Sequence, residues 1–364
     1  MRRLPILLLT ALVSCPKPAT QPTEVNEPVV ISIVAMNDFH GALHSQTPRG
    51  QEDMRMGGLP WLVGAVDALR AEDPDLVLLD GGDVFQGDWE VNATEGMGAV
   101  KALNLLGLDA AAVGNHDFDY GPLDDGDPDE LRGALIAAAA QSEFQWLTAN
   151  IRQADGTGFA PEGIAPWTVI ERKGKKIGVI GLSTQTTPQT TLLRNVADLT
   201  FADPVETVRA VVPVVQAQGV DAMILVAHLT GQCEPTGYFD LGEDCTPGDE
   251  VGRLLEELPH GTFDVMILGH AHTLLAHRVD DTFLLEQRAR GHALGRVDLV
   301  FTEDGLDLDA SKLYQPWPLL HAPADPGCED GEYDTTPQVI GDYTVTPNAD
   351  AIALVDALGH VGVL

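Results

Sequence analysis

Five short stretches of the chain hold side chains that ligate metals or move protons, and each follows an apolar run. They read MNDFHG (36–41), GGDVFQG (81–87), GNHDFDYG (114–121), AHLTG (227–231) and GHAH (269–272). Between them they supply Asp38, His40, Asp83, Asn115, His116, Asp117, Asp119, His228, His270 and His272. Core packing has no use for such groups, because a polar side chain buried without a partner costs free energy. Carboxylate, imidazole and amide oxygens together make a mixed N/O donor set. Such a set suits zinc, manganese, iron or cobalt better than calcium. An imidazole within reach of a carboxylate is also equipped for proton transfer. Either each stretch is a solvated turn, or all five are gathered for one reaction.

The elements that would gather them are legible as alternating patterns. VVISIVAM (29–36), LVLLDGGD (76–83), AAAVGNHD (110–117), DAMILVAH (221–228) and FDVMILGHAH (263–272) read as buried strands that end in the clusters. KIGVIGLST (176–184), FLLEQ (283–287) and GRVDLVF (295–301) read as further strands. Helical spacing runs through LPWLVGAVDALRAE (59–72), MGAVKALNLLG (97–107), LRGALIAAAAQ (131–141), PVETVRAVVPVVQAQG (204–219) and GDEVGRLLEEL (248–258). Gly107 is expected to close the second of these, and Pro213 to kink the fourth. The alternation predicts an α/β architecture with buried sheets. In such sheets ligand sites form beyond the carboxyl ends of the strands, so the five clusters are expected to share one place.

Composition narrows what that place can serve. The chain has 364 residues, 44% of them hydrophobic, which is enough for a full core. Its 21 Lys and Arg against 55 Asp and Glu leave a net charge of −34. That balance repels polyanions, so polymeric nucleic acid and an anionic membrane face are excluded as partners. A site handling phosphate would need its own positive charge, and bound cations are the obvious source.

Together the five motifs resemble those of the calcineurin-like metallophosphoesterases: D-x-H, G-D, G-N-H-[DE], a lone His after a strand, then G-H-x-H. NDFHG, GGDVFQG and GNHDFDYG are similar to the branch of 5′-nucleotidases, UDP-sugar hydrolases and 2′,3′-cyclic-nucleotide phosphodiesterases. The likeness extends over residues 29 to 315. It implies a four-layer α-β-β-α sandwich, with two packed mixed β-sheets flanked by helices. It also implies two divalent ions (Zn, Mn, Fe or Co). Asp83 would bridge them, Asp38, His40 and His272 would hold one, and Asn115, His228 and His270 the other. His116 would face the phosphate and stabilise or protonate the leaving oxygen, with Asp119 orienting it; Asp117 would be a supporting residue. The reaction implied is direct attack on the ester by a hydroxide generated at the metals, with no covalent protein intermediate. Nucleoside monophosphates, nucleotide sugars or cyclic nucleotides would be the small phosphate-ester substrates. Relatives carry a Gly-rich stretch where this chain has EQRARGHALG (286–295), so Arg288 and Arg290 are candidates to reach the phosphate. Two alternatives stand beside this reading: a sulfur-oxidation-type hydrolase of the same family, and a non-catalytic surface or binding lipoprotein.

The remaining features concern location and surroundings. MRRLPILLLTALVSC (1–15) pairs a basic start with an apolar run too short to span a bilayer, as export signals do. LVSC resembles the bacterial lipoprotein cleavage box, which makes Cys15 the lipidated residue and anchors the protein in the bacterial cell envelope. Residues 16–28, rich in Pro and Thr, read as a tether, residues 29–320 as the catalytic domain, and residues 321–364 as a tail. That tail resembles the linker to a C-terminal nucleotidase domain, which the chain is read as lacking. Cys233 and Cys245 are candidates for a local disulfide, and Cys328 has no assignment. His44 sits just past the first cluster, where a place at the mouth of the site and an ordinary surface position both stay open, and His260, His277, His292, His321 and His360 are expected on the surface or in loops. DDGDPDE (124–130) reads as a solvated loop, and Asn92-Ala-Thr as a glycosylation sequon without that role.

Overall fold

The computed structural model describes residues 27–123, 125–231, 248–323 and 335–360. The strands that matter follow in chain order. The first five are β1 (Val29–Met36), β2 (Val77–Asp80), β3 (Ala110–Ala112), β4 (Gln145–Leu147) and β5 (Ile164–Ala165). Next come β6 (Trp167–Arg172), β7 (Lys175–Ser183), β8 (Ala222–His228), β9 (Val265–Gly269), β10 (Leu274–Val279) and β11 (Thr282–Gln287). The last three are β12 (Ala293–Thr302), β13 (Gly305–Leu313) and β14 (Trp317–Pro318). One sheet has the order β13-β12-β1-β2-β3-β4-β5 with β14 beside β12; the other has the order β10-β11-β9-β8-β7-β6. Both are mixed. β1 to β5 run parallel to one another, while β12 lies antiparallel to β1 from Val29↔Phe301 to Ala35↔Gly295. In the second sheet β7, β8, β9 and β11 are parallel, and the outer β6 and β10 are antiparallel.

Side chains alternate across a strand, and here both faces are covered. Along β1, Ile31, Ile33 and Ala35 point into a core shared with Val179, Ile224, Val226 and Ile267 of the second sheet. Val34 and Met36 point the other way, into a core shared with Leu62 and Val66 of α1 (Leu59–Glu72) and Leu103 of α2 (Met97–Leu106). Leu135 of α3 (Gly133–Gln141) joins the same core. The outer face of the second sheet is covered by Val205, Val208 and Val215 of α4 (Pro204–Gln216) and Val251 and Leu254 of α5 (Glu250–Glu257). The result is the four-layer α-β-β-α sandwich. Gly107 does end α2, in the left-handed conformation, and α4 continues through Pro213. Within the tail, α6 (Ala349–Gly359) turns Ala351, Val355 and Leu358 back into the first outer core.

The alternation passed over β4, β5, β6, β10, β13 and β14. β4 and β5 are too short to show a period, and β13 lies at a sheet edge with no residue fully buried. Among the described residues, no helix is long and apolar enough to cross a membrane. Cys15, Cys233, Cys245 and Cys328, and with them the lipidation and disulfide readings, lie outside the described residues.

Candidate metal centre and active site

The carboxyl ends of β1 and β2 are laced together by their loops. Gly81 N donates to Met36 O at 2.9 Å, Asp38 N to Gly82 O at 2.8 Å, and His40 N to Asp83 O at 3.0 Å. The second sheet joins at the same end. His228, the last residue of β8, donates from Nδ1 to Gly81 O at 3.1 Å, and His270 N donates to Asp38 Oδ2 at 3.1 Å. Five cluster residues take left-handed backbone angles: φ is 50° at Asp38, 48° at His40, 57° at Asp83, 84° at His270 and 54° at His272. Each such angle costs a non-glycine residue about 1–3 kcal/mol and persists where the surroundings over-determine it, as at functional sites.

The side chains fall into two touching groups. In the first, His272 Nε2 is 3.0 Å from Asp38 Oδ1, and His40 Nε2 is 3.1 Å from His272 Nε2. In the second, His228 Nε2 lies 3.0 Å from Asp83 Oδ2 and 3.1 Å from Asn115 Oδ1. His270 Nδ1 lies 2.9 Å from the same Asn115 oxygen and 3.2 Å from His228 Nε2. His40 Nε2 reaches toward both groups, 3.9 Å from Asp38 and 3.8 Å from Asp83. All seven residues picked from the sequence as ligands therefore meet.

The donor set has the chemistry of a cation site. His40 spends Nδ1 on the carbonyls of Phe85 and Gln86, and His228 spends Nδ1 on Gly81. Both rings thus keep Nε2 as a lone pair aimed at carboxylates and at another imidazole. Lone pairs crowded in this way repel unless a proton or a metal ion sits among them, and this backbone hold on the far nitrogen is usual for ligating histidines. The ionisation preferences agree. Burial draws His40 and His270 below the ordinary imidazole range. Burial also opposes charge on His228, but Asp83 overrides it and raises the imidazole above its ordinary range, as a group aimed at a carboxylate and awaiting a cation would be. Asp83 is desolvated too, yet His228, His40 and His116 hold its carboxyl well below the usual range.

Beside the two groups stands the third component. His116 Nδ1 pairs with Asp119 Oδ2 at 2.5 Å, and its ring lies 5.3 Å from the ring of His40. The hydrogen bond to Asp119 raises the His116 imidazole above its ordinary range. Asp119 is itself fixed by Thr191 Oγ1 at 2.6 Å and Gln86 Nε2 at 3.2 Å. Asp117 points away from the chemistry: its carboxylate accepts the N–H groups of Phe85 at 2.9 Å and Gly114 at 2.7 Å and so holds two loops together.

The other candidates fall less neatly. Arg288 and Arg290 take left-handed backbone angles, and Arg290 N donates to Asp38 O at 2.7 Å. The Arg290 guanidinium comes no nearer than 4.0 Å to Asp88. His260 and His360 are exposed, as expected, and so are residues 125–130 of the acidic loop. His277 and His321 correct the sequence reading, for both are buried. His277 lies within β10, which the pattern missed, and His321 stacks on Trp61 with ring centroids 4.3 Å apart. Two residues inside the quoted motifs were overlooked. Asn37 donates to Asp38 Oδ2 at 2.6 Å and accepts from Gln287 N at 2.5 Å, which fixes the Asp38 carboxylate. Gln86 steadies Asp119. Their positions in NDFHG and GGDVFQG were the available signal.

A two-sheet sandwich with carboxylates and imidazoles assembled at one end defines a class of metal-dependent hydrolases. The chain belongs to the calcineurin-like phosphoesterase family, which matches residues 31–274. That family uses a divalent metal centre. A 5′-nucleotidase of Diplobatis ommata is 28% identical over 253 residues, covering 68% of this chain and 38% of the relative. A cell wall protein of Listeria monocytogenes, Lmo0130, is 24% identical over 310 residues, covering 79% and 39%. In fold, the chain is similar to a 5′-nucleotidase precursor from Thermus thermophilus, with a TM-score of 0.66 at 21% identity over 91% of this chain and 58% of that one. The chain thus spans well under half the length of these two curated relatives.

Proposed function

We propose that the chain is a dinuclear metallophosphoesterase that hydrolyses the phosphate esters of nucleotides. The observation that carries this reading is the aiming of the His40 and His228 lone pairs at Asp38, Asp83 and a second imidazole each. Asp38, His40 and His272 would hold one ion and Asn115, His228 and His270 the other, with Asp83 between them. Zinc, manganese, iron and cobalt all suit these donors. When bound, such a pair polarises the phosphoryl oxygens and lowers the pKa of a coordinated water toward neutrality.

The chain's own groups do the rest. Backbone links among the cluster loops hold the seven donors in place before any ligand arrives. Asp119 strengthens the hold of His116 on its proton, which suits His116 to deliver one to the leaving oxygen. Asp119 accepts the Nδ1–H hydrogen bond, which fixes the orientation of the ring and leaves Nε2 to face the ester. The nucleotidase relatives support a nucleotide as the ester. The apolar start of the chain and the cell wall relative support export, with Cys15 as a lipid anchor; replacing Cys15 with Ser should free the protein from the membrane fraction, and unchanged fractionation would remove the anchor from the reading.

The test is an assay of purified protein with p-nitrophenyl phosphate, its bis ester, AMP and cyclic AMP, each with and without added Mn²⁺. The expected result is metal-dependent release of phosphate from AMP and turnover of the p-nitrophenyl monoester. Failure to cleave any of these esters, with or without added Mn²⁺, would end the proposal.

A further inference from the structure

The two loops that position His40 run on into a second group of ligand-type side chains. His44, Asp88 and Glu90 each bring a donor atom within 4.8 Å of the other two. None of them belongs to the seven-residue centre. His44 Nε2 lies 2.8 Å from Glu90 Oε1. Asp88 uses Oδ2 to accept the N–H groups of Leu43 at 2.9 Å and His44 at 3.1 Å, which pins one loop to the other. Its Oδ1 has Arg290 Nη1 at 4.0 Å, beyond hydrogen-bond range.

Glu90 is what sets this group apart from an ordinary ion pair. Its side chain is only 4% exposed. Its Oε2 is buried and has no hydrogen-bond partner among the described residues. Leaving a buried acceptor unsatisfied costs about 1–3 kcal/mol, and more when it is charged. Pairing with His44 does not offset that cost, because the His44 side chain is 48% exposed and pairs of this kind contribute about 0–1 kcal/mol. A multivalent cation would satisfy Glu90 and use Asp88 and His44 as well.

We propose that His44, Asp88 and Glu90 form a further divalent-cation site, separate from the seven-residue centre. The imidazole suits Zn²⁺ and the two carboxylates also accept Mn²⁺, and the nitrogen donor disfavours Ca²⁺. The half-exposed His44 edge leaves room for water in the remaining coordination positions. The ion's effect would be to brace. It would clamp the loop after β1 to the loop after β2, and the same two loops meet again where His40 Nδ1 donates to Phe85 O and Gln86 O. These residues would act on the centre through His40 without touching substrate.

The test counts ions in the full chain. Wild-type protein and a His44→Ala variant are loaded with Zn²⁺, desalted, and measured by mass spectrometry of the metal. His44 is half exposed, so its loss leaves the core intact. The expected result is one Zn²⁺ fewer per chain in His44→Ala, whatever number the seven-residue centre holds. The conservative Glu90→Gln should lose the same ion. In Mn²⁺-loaded protein, electron paramagnetic resonance should show a six-line signal from an isolated ion that His44→Ala removes. Equal zinc counts in the wild type and both variants would overturn the proposal, as would a six-line signal that survives His44→Ala.

Discussion

His228 Nε2 stands 3.0 Å from Asp83 Oδ2, although the two side chains come from different sheets and both are buried. The other oxygen of Asp83 accepts the backbone N–H of His116 at 2.9 Å. One carboxylate thus ties the loop after β2 to the end of β8 and to the residue proposed as the proton donor. Asp83→Ala removes both links. The expected outcome is joint loss of bound metal and of turnover, checked by metal analysis and the p-nitrophenyl phosphate assay on one preparation. In metal-free protein the variant also leaves the buried His228 imidazole without its carboxylate partner, so the stability loss should be about 1–3 kcal/mol by denaturant titration. Full activity in Asp83→Ala would sink the whole assignment.

His116 and Asp119 separate binding from chemistry. His116→Ala should keep its metals and lose kcat by roughly 10²–10⁴, the usual contribution of a positioned acid or base. Asp119→Asn tests the positioning role through pH. Asp119 raises the His116 imidazole, so removing its charge lets that imidazole fall. A proton donor works below its pKa and fails above it. The alkaline limb of kcat/KM should therefore move to lower pH in Asp119→Asn, while metal content stays at the wild-type level. An unmoved limb would show that Asp119 is structural only.

Gly87 shows how closely the loops must approach. A Cβ at this position would run into the carbonyl oxygen of His40. That oxygen belongs to the backbone and cannot swing aside. Gly87→Ala should lower stability by about 1–3 kcal/mol, the typical cost of overpacking, and weaken the hold on the His40-side ion. Gly359→Ala is the control, since nothing stands within 4 Å of its added Cβ. Thermal melts and zinc titrations of the two variants should diverge; parallel behaviour would mean that the loops can slide apart without cost.

The centre was legible because its residues violate core chemistry. Asp38, Asp83 and His228 are buried, and no packing argument puts them at the ends of apolar strands. The long parallel strands were legible for the opposite reason: β1, β7 and β8 are nearly continuous apolar runs. What stayed hidden was set by partners far away in sequence. His277 is buried because β10 pairs with β11, a contact its own residues do not announce. His321 is buried because Trp61 lies under it. The His44–Asp88–Glu90 group depends on two loops meeting, and no single stretch of sequence contains it. Left-handed angles at Asp38, His40 and Asp83 were equally invisible, since such residues adopt them only under tertiary constraint.

Asp264 makes a prediction about stability that does not involve the centre. It sits just before β9 and pins that strand to β8: Asp264 N donates to Met223 O at 2.8 Å, and Asp264 Oδ2 accepts from Met223 N at 2.7 Å. Burial raises its carboxyl to about 6, with Asp281 adding to the shift. The folded protein therefore holds this proton more tightly than the unfolded chain does. A raised carboxyl pKa means that stability is greatest below the unfolded value and falls as pH climbs through the folded value. At about 1.4 kcal/mol per pKa unit, ionising Asp264 costs the fold on the order of 2–3 kcal/mol by pH 7. Asp264→Asn keeps an oxygen to accept from Met223 N and never ionises. It should raise the melting temperature at pH 7 to 8 by several degrees, and the gain should shrink through pH 6 and vanish near pH 4. Melts across that range would expose the idea as wrong if the variant's advantage were absent at pH 8, or equally large at pH 4.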